Sequence, residues 1–354
     1  MNLLSAQILY RIFRAAGWPK VLPFNYTISV TARCNYRCAT CRIWTEPVPE
    51  LTVEDYRKIF ASLGRSPYWV TFSGGEPFLR DELETIVTLF CRTCRPKIVN
   101  IPTNGSLPDR IRDVVKRLAY EHKGIRFIIN VSMDSTGQKQ DQIRGSSGAF
   151  ARAVETVKLL KETTLPNLTV GIGTVISSQN IDSFAADRNT LLSLNADSLV
   201  AEIAEERVEL NNQNSSLSPT PEQYKGAAGV LIAEMAQNKK KGTAGLAQAF
   251  RKQYYQYVYS ILTGIPGLDC YAGVASVQIM PDGKVWACCI KGDEMGALKD
   301  FDYNFRKLWR SPKAAAVRKL IKDRACACPL ANAAYTNMML DFKTSLRVLR
   351  DLLF

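Results

Sequence analysis

Short apolar and β-branched runs alternate with longer helix-like stretches from residue 24 onward. The strand candidates cover residues 24–30, 69–72, 97–103, 126–133, 168–176 and 197–203. Helix-length segments begin between them, near Thr52, Asp81, Pro108, Ser147 and Asn180. A strand followed by a helix, repeated six times, predicts a parallel sheet with right-handed crossovers, either doubly wound or an open barrel.

The alternation stops after the sixth strand candidate. The polar loop NNQNSSLSPTP and the helical stretches around KKKGTAG predict a helical connection, and a cysteine-rich stretch follows it. We therefore divide the chain into five segments: an N-terminal amphipathic helix (1–23), a core of alternating strands and helices (24–204), a helical connection (205–265), a small cysteine-rich domain (266–335) and a C-terminal amphipathic helix (336–354).

The first and last helices separate apolar from basic positions. The apolar faces contain Ile8, Leu9, Ile12, Phe13 and Ala16 in the first helix and Leu346, Leu349, Leu352 and Leu353 in the last. The polar faces contain Gln7, Arg11 and Arg14, and Lys343, Arg347 and Arg350. Such helices either cover an open edge of the barrel or lie in the interface of an anionic membrane.

The composition is that of an ordinary globular protein, with 354 residues of which 46% are apolar. No apolar run approaches the ~20 residues that cross a bilayer, and the first residues lack the features of a signal peptide. We therefore expect a cytoplasmic protein, with peripheral contact to the membrane surface as an option. Because cytosolic thiols stay reduced, the clustered spacing among ten cysteines predicts metal binding rather than disulfides.

The net charge of +13 predicts an anionic partner. The sequence has no RNA-binding signature of aromatic and basic residues, and its block of consecutive basic residues is the short run 239–241. Nucleic acid is therefore not expected as the partner. The single histidine, His122, rules out a His-based metal site and a Ser/His/Asp triad. Its polar surroundings predict a surface position.

Polar motifs follow the first four strand candidates. They are CNYRCATC (34–41), SGGEP (73–77), TNGS (103–106) and SMDS (132–135). Active sites in parallel α/β folds gather at the C-terminal ends of the strands, so these four motifs predict one shared site.

Cys34, Cys38 and Cys41 have the spacing C-x3-C-x2-C. A structural zinc ion takes four protein ligands, whereas a cubane iron–sulfur cluster on three cysteines leaves one iron free. Gly74 and Gly75 would let a ligand approach the backbone, and a carboxylate follows them that suits an ammonium group. Together these features suit an amino-acid-like ligand.

Through this cysteine spacing and the GGEP segment after the next strand, the chain resembles the radical S-adenosylmethionine (SAM) superfamily. The resemblance implies a partial (β/α)6 barrel of the TIM-like type. It implies a 4Fe-4S cluster whose open iron is chelated by SAM, and reductive cleavage of SAM to a 5'-deoxyadenosyl radical. An electron donor such as flavodoxin or ferredoxin is also implied.

The resemblance assigns roles residue by residue. The segment that binds the methionyl amine of SAM matches Gly74, Gly75 and Glu76, and the ribose and carboxylate contacts fall on Asn104, Ser132, Asp134 and Arg144. The family commonly has an aromatic residue before the third cysteine, where this chain has Thr40. Tyr36 is the candidate to pack against adenine instead.

Cys270, Gly283 and Cys288 form a second motif, C-x12-G-x4-C, and a PDG turn signal within it predicts a hairpin that brings the two cysteines together. The motif resembles the start of the auxiliary-cluster extension called SPASM, or of its shorter twitch form. One auxiliary 4Fe-4S cluster is predicted on Cys270, Cys288, Cys326 and Cys328. A zinc ribbon on the same four residues is the alternative.

Three cysteines remain. Cys289, beside a predicted ligand, is a packed thiol, a replacement ligand or a catalytic hydrogen-atom donor to a substrate radical. Cys91 and Cys94 form a C-x2-C pair without partners and are predicted to be structural.

The leading hypothesis is a radical SAM enzyme that abstracts hydrogen from an unactivated carbon of a lipid or membrane-associated substrate. One alternative is a maturase that modifies a ribosomal peptide or protein, although the 33 residues before Cys34 are too few for a separate leader-binding domain. The other alternative is a non-enzymatic zinc protein that binds nucleic acid.

Overall fold

Six parallel strands form the core of the protein, and the computed structural model describes residues 3–324 and 326–353. Residues 1, 2 and 354, at the outer limits of the first and last predicted segments, lie outside this range, as do Ala325 and the side chains of Leu3 and Leu353. The strands are β1 Asn25–Thr31, β2 Trp69–Gly74, β3 Ile98–Thr103, β4 Arg126–Ser132, β5 Leu168–Ile176, β6 Ser198–Ile203, β7 Ser276–Ile279, β8 Lys284–Trp286 and β9 Glu294–Ala297.

Strands β1 to β6 pair in chain order, each parallel to the next. Ile28 lies opposite Phe72, and both side chains are fully buried. All six predicted strands are present within two residues of their predicted limits. The predicted fold class, a partial barrel of parallel strands and helices with a cysteine-rich C-terminal part, is therefore confirmed.

The helices connect the strands and cover the outer side of the sheet. Their bounds are α1 Leu3–Ala16, α2 Val53–Leu63, α3 Leu83–Cys94, α4 Pro108–Glu121, α5 Gly137–Arg144, α6 Ala149–Glu162, α7 Phe184–Leu192, α8 Pro221–Gln237, α9 Gly242–Leu262, α10 Phe305–Arg310, α11 Pro312–Asp323, α12 Ala331–Leu340 and α13 Phe342–Leu353. At the start of α2, Thr52 and Asp55 form reciprocal side-chain to backbone hydrogen bonds, as their spacing predicts. Helix α5 was not predicted from the sequence, because its polar residues show no apolar stripe.

The predicted hairpin in the cysteine-rich part is present and extends the main sheet. Strand β7 pairs in parallel with β1, and β8 and β9 follow as antiparallel strands. Gly283 takes a φ of +81° in the turn between β7 and β8, a conformation that favours glycine. The hairpin that lies between Cys270 and Cys288 is therefore paired directly with the strand that leads into the first cysteine motif.

The free edge of the barrel at β6 is covered by α9. The Ala201 backbone N–H of β6 donates a hydrogen bond to the Tyr255 hydroxyl of α9, and Tyr255 is fully buried. Helix α1 instead packs against α12, and α13 packs against α9 and α12. The predicted alternative that the first and last helices cover the barrel edge is therefore wrong.

Helix α1 also turns a different face to the protein than its sequence predicts. Gln7, Tyr10 and Phe13 are buried, whereas Ile8 and Ile12 of the predicted apolar face point outward. Burial of Gln7 is possible because its side-chain amide donates two hydrogen bonds across to the C-terminal helices. In the described residues no helix has the length and apolar character needed to cross a membrane.

Two smaller predictions concern side chains of the helical layer. Cys91 and Cys94 are both buried in the core against α2, which fits a structural role. His122 was expected on the surface, but only 9% of its side chain is exposed and its ring stacks on Phe127. Burial therefore lowers the pKa of His122.

Candidate functional site

The loop that carries Cys34, Cys38 and Cys41 leaves the C-terminal end of β1 and is held on two sides. On one side the backbone N–H groups of Gly75 and Glu76 donate to the carbonyls of Thr31 and Arg33 at 2.8 and 2.9 Å. On the other side the N–H groups of Arg37 and Ala39 donate to the carbonyls of Arg144 and Ile143, at the end of α5. The loop is thus fixed by backbone hydrogen bonds from distant segments.

Gly74 and Gly75 are required by this close packing. A Cβ at Gly74 would lie 2.1 Å from the Thr31 carbonyl oxygen, and one at Gly75 would lie 2.2 Å from that of Arg33. We expected the two glycines to let a ligand approach the backbone. Their first role is to let the end of β2 approach the backbone that leads into the cysteine loop.

Glu76 is fully buried and bonded within the protein. Its carboxylate accepts hydrogen bonds from Phe78 N–H, from the Thr103 hydroxyl and from Asn104 N–H at 2.7 to 3.1 Å. Burial raises the pKa of Glu76 to about 7 despite these three donors. Oε2 has one donor, which leaves it one acceptor position for a further group such as an ammonium.

Asn104 connects the third strand to the first cysteine. Its side-chain amide donates to the Asn35 side chain at 2.9 Å and lies 3.9 Å from the Cys34 sulfur. Sequence analysis placed Asn104 in the site and missed Asn35. The signal that would have found Asn35 is its position between the first two cysteines of the motif.

Asp134 and Arg144 form a buried ion pair of 2.8 Å beside the second cysteine. A terminal nitrogen of Arg144 lies 4.0 Å from the Cys38 sulfur, and the buried Nε of Arg144 has no hydrogen-bond partner among the described residues. Asp134 also accepts a hydrogen bond from the Val175 N–H. The predicted residues Asp134 and Arg144 therefore meet next to the predicted cluster.

Two other predicted residues contribute differently. Ser132, at the end of β4, accepts a hydrogen bond through its backbone carbonyl from Gln140. Tyr36 is 2% exposed, and its hydroxyl accepts a hydrogen bond from Arg152. The interpretation that Tyr36 packs against adenine is therefore not supported, because its ring is enclosed by protein.

The second cysteine group surrounds a large cavity. Cys270, Cys288, Cys326 and Cys328 all line a cavity of about 860 Å³ that is open to solvent. Burial raises the pKa of Cys270 to about 11, with further contributions from the nearby thiols of Cys288 and Cys326. The four predicted auxiliary ligands thus come together in one place.

The opposite wall of the same cavity belongs to the barrel. Thr27 of β1, Glu205 after β6, and Gln278 of β7 line it. Only 7% of the Glu205 side chain is exposed; one oxygen binds Arg207 at 2.9 Å and the other has no partner among the described residues. Burial raises the pKa of Glu205 to about 7.

The cavity is coupled to the first cysteine loop through Asn212. Its side-chain amide donates to the carbonyls of Thr40 and Glu205 at 2.9 and 3.0 Å. Glu205 and Asn212 lie in the segment predicted as a helical connection (205–265), and neither was predicted as a site residue. Only the fold brings their loop back against the cysteine motif.

Cys289 also lines the cavity, with its thiol almost fully buried. Burial raises the pKa of Cys289 well above the usual range, which keeps the sulfur protonated. Its carbonyl accepts a hydrogen bond from the Glu209 N–H. Cys289 therefore contributes a buried S–H group to the wall of the cavity that the four predicted auxiliary ligands also line.

The thiols of the first motif fit an iron–sulfur cluster better than a single zinc ion. Burial raises the pKa of Cys41 to about 12, and the neighbouring Cys38 and Cys34 thiols raise it further, so the three lie close together. Three thiols are one protein ligand short of a structural zinc site, whereas three cysteines can hold a cubane in which each thiolate binds its own iron atom.

Family models match two parts of the chain. Residues 28–191 match the radical SAM superfamily, and residues 270–329 match an iron–sulfur cluster-binding domain called SPASM. The second match begins at Cys270 and ends just after Cys328.

Two relatives illustrate the range of similar proteins. The subtilosin biosynthesis protein AlbA of Bacillus subtilis is 29% identical over 145 residues, 40% of this chain and 31% of AlbA. The Fe-coproporphyrin III synthase of Methanosarcina barkeri is 31% identical over 164 residues, 45% of this chain and 38% of that protein. The chain thus spans about a third of the length of these curated relatives.

Two solved structures share the fold over nearly the whole chain. SuiB of Streptococcus suis bound to S-adenosylmethionine has a TM-score of 0.64 at 13% identity, covering 96% of this chain and 79% of SuiB. The protein anSMEcpe with bound AdoMet and the Cp18Cys peptide has a TM-score of 0.63 at 15% identity, covering 94% and 96%. At such identities the likeness concerns the fold.

Proposed function

We propose that this chain is a radical SAM enzyme that uses SAM and 4Fe-4S clusters to modify a peptide or protein, since residues 28–191 match the radical SAM superfamily and residues 270–329 match an iron–sulfur cluster-binding domain. When bound, these cofactors supply a 5'-deoxyadenosyl radical that removes a hydrogen atom from an unactivated carbon. The residues proposed to hold the first cluster are Cys34, Cys38 and Cys41, and those for the auxiliary cluster are Cys270, Cys288, Cys326 and Cys328.

One observation carries the proposal: a single open cavity is lined on one side by the barrel and on the other by the auxiliary cysteines. A substrate in this cavity lies beside the predicted auxiliary site, and Asn212 connects the Glu205 backbone in its wall to Thr40 of the first cysteine loop. At about 860 Å³ the cavity is near the upper end of small-molecule pockets, which suits a segment of polypeptide. Its polar lining residues can pair with peptide N–H and C=O groups.

The relatives add support for a peptide substrate over a lipid. AlbA is a bacteriocin biosynthesis protein, SkfB is the sporulation killing factor maturation protein, and anSMEcpe holds a peptide. A lipid or membrane-linked substrate is therefore the weaker candidate.

In this proposal the protein's own side chains position the cofactor and the substrate. Arg144, held by Asp134, would pair with the carboxylate of SAM, and Glu76 would accept a hydrogen bond from its amine. The unpartnered oxygen of Glu205 would accept a hydrogen bond from a substrate N–H group. Cys289 would offer its hydrogen atom to a substrate radical.

The cofactor half of the proposal is tested by anaerobic reconstitution with iron and sulfide, reduction with dithionite, and measurement of 5'-deoxyadenosine by liquid chromatography. We expect SAM cleavage by the wild-type protein and none by the Cys34→Ala variant. Equal cleavage by both proteins would overturn the assignment of the first motif.

The substrate half is tested by photocrosslinking. A benzophenone amino acid replaces Ala333 in the cavity wall, or Tyr120 on the remote helix α4 as the control. After irradiation in extract of the source cells, we expect mass spectrometry to find a polypeptide attached at position 333 and not at position 120. Exclusive attachment of a lipid at position 333 would reverse the choice of substrate.

A further inference from the structure

Helices α1 and α13 both pack against α12, and side chains of α1 also contact α13 although the two helices are far apart in the sequence. The Gln7 side-chain amide donates hydrogen bonds to the Ser345 hydroxyl and to the Met339 carbonyl, both at 2.8 Å. The Arg11 guanidinium lies 4.7 Å from the ring centre of Phe342. The two helices therefore form one continuous surface, which we call the α1/α13 face.

The α1/α13 face exposes aliphatic side chains that a globular protein normally buries. Leu4, Ile8 and Ile12 lie on consecutive turns of α1 and are 47 to 57% exposed. Along α13 the exposed aliphatic residues are Leu346, Leu349 and Leu352, at 43 to 68%. Because α1 buries Gln7 and exposes Leu4, Ile8 and Ile12, its aliphatic face points toward the solvent.

A basic cleft of about 360 Å³ lies between the two helices. Arg11, Lys343 and Arg347 line it, and no ion pair involves any of them in the part of the chain that the structure describes. The two acids in the cleft are already engaged. Asp269 pairs with Arg14 at 3.0 Å, and Asp341 accepts a hydrogen bond from the Thr344 N–H at the start of α13.

We propose that the α1/α13 face docks on an anionic phospholipid bilayer, with its aliphatic side chains in the acyl boundary and a lipid phosphate in the cleft. Charge complementarity selects this occupant, because unpaired cations lie directly beside the aliphatic side chains on a chain of net charge +13. The arrangement matches the two parts of a phospholipid, an apolar tail region and an anionic headgroup.

Docking would place the auxiliary cysteines near the bilayer. The loop that contributes Asp269 and Tyr271 to the cleft continues through Cys270, which lines the large cavity. Arg14 of α1 also donates a hydrogen bond to the Cys270 carbonyl at 2.9 Å. The proposal concerns location alone and does not depend on the peptide substrate proposed above.

The test is sedimentation of the reconstituted full-length protein with vesicles of phosphatidylcholine and phosphatidylglycerol, against vesicles of phosphatidylcholine alone. We expect binding to the anionic vesicles only, and weaker binding as salt rises. The double variant Ile8→Glu/Ile12→Glu should bind at least roughly tenfold more weakly, since it lacks two aliphatic side chains that the bilayer would bury. The control Tyr120→Glu changes another exposed apolar residue, on the remote helix α4, and should bind normally.

The variant Lys343→Glu/Arg347→Glu probes the cleft and should lose most of the preference for anionic vesicles. Iron content and SAM cleavage should be unchanged in all variants, because the altered side chains are exposed. Failure of the wild-type protein to bind anionic vesicles at low salt would overturn the proposal. So would a dimer in the absence of vesicles that dissociates in the Ile8→Glu/Ile12→Glu variant, since the face would then serve self-association.

Discussion

Arg144 places a guanidinium nitrogen 4.0 Å from the sulfur of Cys38, although 106 residues separate them along the chain. The same guanidinium pairs with Asp134, which is also buried. A cation held at this point offsets the negative charge that thiolates bring to the loop. The Asp134–Arg144 ion pair is therefore part of the candidate site and also stabilises the folded structure around it.

Replacement of Arg144 by Met should destabilise the apo protein by about 3–5 kcal/mol, because the buried carboxylate of Asp134 is left without its cation. Urea unfolding measured by circular dichroism gives the free energy. The double variant Asp134→Asn/Arg144→Met should recover much of the loss. Equal stability of the single and double variants would show that the pair is not coupled.

Gly74→Ala should destabilise the protein by about 3 kcal/mol or more, since its Cβ would meet the Thr31 carbonyl oxygen at 2.1 Å and φ is +139°. The matched control is Gly226→Ala in α8, where a Cβ meets nothing within 4 Å. That control should be neutral or stabilising by up to about 1 kcal/mol. Thermal unfolding of the two variants compares them directly, and equal melting temperatures would refute the packing argument.

Removal of either cysteine group should lower the iron content by about four atoms per chain. The two variants replace Cys34, Cys38 and Cys41, or Cys270, Cys288, Cys326 and Cys328, by Ala. Iron and sulfide are assayed after anaerobic reconstitution. The control Cys91→Ala/Cys94→Ala should keep all of its iron, and zinc without sulfide in the second group would favour a zinc ribbon.

Cys289→Ser should retain full iron content, because four other thiols already line the auxiliary site. Electron paramagnetic resonance of the reduced protein should show unchanged cluster signals. Loss of about four iron atoms in this variant would identify Cys289 as a replacement ligand.

The apo protein should lose stability as pH rises from about 4.5 to about 7, since burial raises the pKa of Glu205 to about 7 in the folded state. A raised carboxyl pKa means that the folded state prefers the protonated form. The contribution of Glu205 to the free energy of unfolding is therefore present at low pH and is lost by the time the pH exceeds 7. Over this pH range the free energy of unfolding should fall by at most about 3 kcal/mol.

A glutamine side chain resembles a protonated glutamate in shape and does not titrate. Glu205→Gln should therefore remove the part of the pH dependence of stability that comes from Glu205. Because Glu76 has a pKa of about 7 as well, the measured quantity is the difference between wild type and variant across pH 5 to 8. Parallel stability curves for the two proteins would contradict the assignment to Glu205.

The sequence alone determined the six strands of the barrel core and the cysteine motifs. Apolar, β-branched runs have a short-range periodicity that survives without knowledge of contacts, so β1 to β6 were predicted within two residues. The GGEP and C-x3-C-x2-C segments were equally visible, since each follows its strand directly.

The tertiary structure alone decided which distant groups meet and which helix faces stay exposed. Glu205, Asn212 and Asn35 join the site through hydrogen bonds across the fold, and no local pattern records such partners. The outward direction of Ile8 and Ile12 depends on the hydrogen bonds that allow Gln7 to be buried against α12 and α13. Periodicity defines two faces of a helix, but the surface that packs against one of them is set by long-range contacts.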